Sequence, residues 1–75
     1  MNKMNEKQAK IIAGSTVGID YKLKSLGTKN GCFVFHAKNN VIIPSDVIVA
    51  VNSATGKTGV SMYKIEEAVA TANRK

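Results

Sequence analysis

The triplet Gly56-Lys57-Thr58 is the one that closes a phosphate-binding P-loop, where backbone amides and a lysine cradle the phosphates of a nucleotide. Such a loop needs a glycine five residues earlier, so that the chain bends sharply and aims successive N–H groups at the anion. Val51 stands at that position, and a β-branched residue resists the positive φ that glycine accepts. Asn52 to Gly59 is therefore read as a polar turn rich in strand-breaking residues.

The second chemical feature is a set of lysines spaced two apart. Lys22 and Lys24 fall on one side of an alternating run, and His36 and Lys38 fall on one side of the next. If the two runs pair antiparallel, with the helices covering the opposite face, these four side chains share a solvent-facing surface with Asp20 as the acid among them. Such a face can follow a phosphate backbone, each lysine acting as a point charge. Exposed strand faces are also lysine-rich simply because charge discourages edge-to-edge aggregation. A second row, Lys3, Lys7 and Lys10 at i, i+4 and i+7, lies on one side of a short helix, where it extends a basic surface or is merely solvated.

Catalytic groups are scarce. His36 and Cys32 are the sole histidine and cysteine, so a zinc set of three or four Cys or His ligands is not expected, and neither is any other metal or cofactor. On an extended strand the two lie about 13 Å apart, too far for a thiolate pair. Cys32 sits in the apolar run Cys32-Phe33-Val34-Phe35 and is expected to be a buried structural thiol. Cys32 and Val34 have the parity of His36 and Lys38, so the polar face is expected to be partly covered. The acids Asp20, Asp46, Glu66 and Glu67 form no carboxylate pair across a helix or strand face, and Asp46, just after Pro44-Ser45, reads as turn chemistry. An enzyme is not expected.

The elements that must position these residues give an α+β chain: a short N-terminal helix, three or four antiparallel β-strands and a C-terminal helix. Residues 4–13 read as the first helix, with Met4, Gln8, Ile11 and Ile12 near one side and Gly14 as its stop. Thr16 to Lys24 alternates as a half-buried strand, with Ile19, Tyr21 and Leu23 opposite the charges. Gly27-Thr28-Lys29-Asn30-Gly31 is a hairpin loop, and Cys32 to Lys38 is the returning strand. Val41-Ile42-Ile43 reads as a further strand ended or bent at Pro44. Val47 to Val51 is apolar throughout, which implies burial on both faces, beneath a helix and another layer or at a subunit interface. Val60 to Tyr63 is a last strand or a helix entry. From Met62 the stripe Met62, Ile65, Ala68, Val69 and Ala72 gives the second helix, with Glu66 and Glu67 early and Arg74 and Lys75 late, as the helix dipole favours.

With 75 residues, 44% of them hydrophobic, the chain is expected to form one small domain over residues 1–75, outside the disordered class. The apolar patch Ile11-Ile12-Ala13 is too short for a signal peptide or a membrane span, so a cytoplasmic protein without membrane insertion is expected. A net charge of +6 points to polyanions, and the excess sits in residues 1–40, where Lys3, Lys7, Lys10, Lys22, Lys24, Lys29 and Lys38 face only Glu6 and Asp20.

Two readings follow. In the first the chain is a small basic binding protein that contacts nucleic acid backbone through Lys22, Lys24, His36 and Lys38, joined by Lys7 and Lys10. Recognition would be mainly of phosphate, because Tyr21, Phe33 and Phe35 fall on apolar faces and Arg74 is the sole arginine. In the second it is a protein-interaction module, an inhibitor or adaptor that binds a protein partner, for example as a phage or mobile-element accessory protein itself, or a homo-oligomer, using the apolar region Val41 to Val51.

Overall fold

The computed structural model describes residues 4–18, 21–39, 46–62 and 64–74. The first helix, α1 (Glu6–Val17), begins with reciprocal capping by its own sequence: the Asn5 side chain accepts from Gln8 N at 2.9 Å and the Gln8 side chain accepts from Asn5 N at 3.0 Å. It does not stop at Gly14 as the sequence suggested. A mid-helix glycine costs only about 1 kcal/mol, and the extra turn is held by packing, with Ala9 and Ala13 fully buried and Val17 against the same core. Thr16, expected in a strand, is helical and donates its hydroxyl to Ile12 O at 2.9 Å. Ile19 and Asp20 lie outside the described residues.

Four strands follow as an antiparallel meander in the order β1 (Tyr21–Lys29), β2 (Cys32–Asn39), β3 (Val47–Asn52) and β4 (Thr58–Ser61). The expected hairpin loop 27–31 is shorter in the structure, because Gly27 to Lys29 remain in β1. The reversal is made by Asn30 and Gly31 alone, with φ of 50° and 79°, the left-handed pair that matches strand twist in a two-residue turn. The register steps at Leu26, where Ser25 faces Phe35 and Gly27 faces Val34, a bulge of one residue. Between β3 and β4 the Asn52 side chain accepts from Ala54 N at 2.8 Å and Thr55 N at 3.1 Å. Gly56-Lys57-Thr58 leads out of that turn into a strand, whereas a P-loop leads into a helix. The strand expected at Val41-Ile42-Ile43 lies outside the described residues.

The last element, α2 (Ile65–Ala72), buries Ala68, Val69 and Ala72. Met62, expected in its apolar stripe, lies before the helix and is exposed. The two helices take opposite faces of the sheet, which corrects the expectation that both cover one. On the α1 side Phe35, Ala37, Val49 and Val51 pack with Ala9 and Ala13. On the α2 side Cys32, Val34 and Ala50 pack with Ala68, Val69 and Ala72. The physical reason is that β2 and β3 are apolar on both faces, so one layer of helix would leave Cys32, Val34 and Ala50 in water. Val49, Ala50 and Val51 are each wholly buried, as the continuous apolar run requires, and their cover comes from this chain.

Candidate functional site

Helix α2 is short, and Gly59 fixes where it lies. The helix backbone at Ala68 and Ala72 comes so close to Gly59 that a side chain there would collide with it. The helix therefore sits over β3, β4 and the Cys32–Val34 end of β2 and leaves β1 and the His36–Lys38 end of β2 open on the same face. Lys22, Lys24 and Lys38 project there and are exposed, and His36 is partly exposed. The four residues placed on one face by alternation are thus brought together, on a face that is half covered rather than open.

Register sets two lysines directly opposite one another, Lys22 with Lys38, and places Lys24 opposite His36. The Leu26 bulge adds a member that alternation could not supply. By skipping one residue it returns Lys29 to the face of Lys22 and Lys24, opposite Cys32. Lys29 Nζ approaches Glu66 Oε1 of α2 at 3.9 Å, and His36 Nε2 lies 3.3 Å from Asp46 Oδ2. Asp46, just before β3, is thus the acid beside His36; the turn expected at Pro44-Ser45 lies outside the described residues. Lys22, Lys24 and Lys38 belong to neither ion pair. Asp20 and Lys3 lie outside the described residues.

Lys7 and Lys10 are on the other side of the sheet, so they do not extend the lysine face directly. They flank a groove of about 680 Å³ between α1 and β1, which Ile11, Tyr21, Leu23 and Lys22 also line. Ile11, placed on the apolar side of the helix by spacing, is 67% exposed in this groove, while Ile12 packs on the core. Lys22 borders both surfaces because β1 is the sheet edge.

Cys32 is buried, and desolvation pushes its thiol pKa above the ordinary value. Its Sγ donates to Asn73 Oδ1 at 3.3 Å; that oxygen also accepts from Asn52 Nδ2 at 2.9 Å, and Asn73 Nδ2 donates to Asn30 O at 3.2 Å. This network ties the end of α2 to the β1–β2 turn and to β3, a structural task that sequence reasoning missed because the three asparagines lie far apart in the chain. Among the described residues no three His, Cys, Asp or Glu side chains gather as a metal site, and no helix is long and apolar enough to cross a membrane. No protein family, curated protein sequence or solved structure matches this chain.

Proposed function

We propose that the chain is a small basic binding protein that holds the phosphate backbone of a nucleic acid along the open β1–β2 face. The observation that carries this reading is the exposed Lys22–Lys38 pair, set directly opposite in register and outside both ion pairs. Like charges facing across a strand pair cost stability, and a bound phosphate between them turns that cost into attraction. Lys24 extends the row by about 6.6 Å along β1, and His36 adds a hydrogen-bonding ring beside it. Lysines recognise phosphate as point charges, so contact of this kind carries little sequence information.

The test is fluorescence anisotropy of labelled single-stranded and duplex DNA at about 50 and about 200 mM salt, a range over which phosphate-driven binding weakens strongly. The expected result is binding at the lower salt that collapses at the higher. In single variants Lys22→Ala, Lys24→Ala and Lys38→Ala, each lost contact should flatten the log-log salt dependence by about 0.7 on a single strand and about 0.9 on a duplex. No binding at the lower salt would refute the proposal.

A protein-binding role has separate support at the other sheet edge, where Val60 on β4 and Met62 just beyond it are 44% and 56% exposed. Self-association through them would appear as a concentration-dependent mass in light scattering, lost in Val60→Lys. The Val47 to Val51 part of the region first suggested for such contacts lines the chain's own cores, and residues 41–45 lie outside the described residues.

A further inference from the structure

We infer that the groove between α1 and β1 receives one base of a single-stranded nucleic acid whose phosphates follow the β1 edge; this rests on the backbone-binding reading above and names its substrate. The groove has an apolar floor of Ile11, Tyr21 and Leu23, a cationic rim of Lys7, Lys10 and Lys22, and no carboxylate among these lining residues. Its volume of about 680 Å³ falls within the range of about 300–1,000 Å³ usual for small-ligand pockets. Charge complementarity therefore calls for an anion with an apolar part.

Lys22 borders both the groove and the open lysine face, so a polyanion lying along Lys24 and Lys22 reaches the groove mouth without leaving the cations. What it must then supply is a flat apolar group beside the backbone charge. An unpaired base does this, because its face can lie on the Tyr21 ring or the exposed Ile11 side chain while its phosphate stays with the lysines. A duplex keeps its bases stacked inside and has nothing to insert. An acidic peptide matches the lysines, but its charged side chains bring no planar group to the aromatic floor.

The experiment compares three labelled oligonucleotides with the full chain at about 50 mM salt: a single strand, the same strand with every base removed, and the corresponding duplex. The single strand should bind more tightly than the abasic strand by about fivefold to hundredfold, the range for one base stacked on an aromatic side chain. Tyr21→Leu, or Ile11→Ser at the exposed position should the first variant unfold, should bring the single strand down to the abasic level. Lys24→Glu should weaken both strands alike. Equal binding of normal and abasic strands would overturn the groove inference and leave backbone binding standing. Duplex binding tighter than single-strand binding would also overturn it, as would a glutamate-rich peptide that displaces the oligonucleotide at equal charge concentration. Failure of all three oligonucleotides to bind would overturn both readings together.

Discussion

Substituting Gly59 by alanine tests the placement of α2, on which the open lysine face depends. A Cβ at this position would lie 2.7 Å from Ala72 N and 2.8 Å from Thr71 Cβ, and closer still to Ala68 O. Two of those three atoms are helix backbone, which cannot rotate away, so α2 must lift from the sheet or β4 must separate from β3. Overpacking a tight core costs about 1–3 kcal/mol, and rigid backbone on the far side puts this case near the upper end. For a chain of this size a loss of about 3 kcal/mol lowers Tm by roughly 12–24 °C, at about 4–8 °C per kcal/mol. Gly14→Ala is the control. Its Cβ would meet only Leu23 Cδ1 at 3.7 Å, an ordinary contact, and a mid-helix alanine gains about 0.8–1 kcal/mol over glycine, so Tm should rise. Thermal melts followed by far-ultraviolet circular dichroism, with urea midpoints alongside, measure both. A Gly59→Ala protein that melts with the wild type would mean that α2 is not seated on β4 by backbone contact. The division of the sheet face into covered and open halves would then lose its basis.

Lys38→Glu should separate stability from binding. It turns the Lys22–Lys38 opposition into an attractive pair, raising stability by about 0.2–1 kcal/mol, while weakening nucleic-acid binding in the anisotropy assay. Asn73→Ala removes the acceptor shared by Cys32 and Asn52 and the donor to Asn30 O; it should cost about 1–3 kcal/mol in urea unfolding. Cys32 should resist iodoacetamide in the native protein and react fully once unfolded, read by intact mass. Because burial raises its pKa, the unfolded thiol ionises first. Its contribution to stability is therefore constant below about pH 8.5 and falls as pH rises toward the higher folded value, a slope that Cys32→Ala should lack.

The lysine face was legible in the sequence because half-buried strands alternate strictly, and Lys22, Lys24, His36 and Lys38 keep that alternation in β1 and β2. Lys29 was not, since a one-residue bulge at Leu26 resets parity and alternation has no means of announcing where it will do so. The burial of Val49, Ala50 and Val51 was readable from their unbroken apolar run. Which helix covers which face was only hinted at, by Cys32 and Val34 sharing the parity of the charged residues. The residue that decides it, Gly59, has no side chain and looked like part of a turn, because close approach of helix backbone leaves no trace in hydropathy. Gly14 misled in the opposite way: its local preference was to end α1, and the burial of Ala13 and Val17 against the sheet outweighed it.

Helix width explains why half of the face must be polar, but not why it is positive. A helix about 10 Å across spans roughly two strands spaced about 4.8 Å apart, so α2, seated on β3, β4 and the Cys32–Val34 end of β2, leaves β1 and the His36–Lys38 end of β2 to water. Solvation alone is satisfied by mixed charges, and mixed charges across the β1–β2 register would add stability where like charges remove it. Instead Lys22 faces Lys38, and Lys24 faces a histidine already engaged by Asp46. Among the described residues, the acids that approach this half, Asp46 and Glu66, are at its margins, on His36 and Lys29, and neither pairs with Lys22, Lys24 or Lys38. A solubilising role needs charge but not this opposition, whereas a row of phosphates needs cations free of internal partners. The arrangement therefore favours a ligand, and Lys38→Glu decides the matter: a variant that is more stable and still binds nucleic acid with undiminished affinity and salt dependence would assign the lysines to solubility alone.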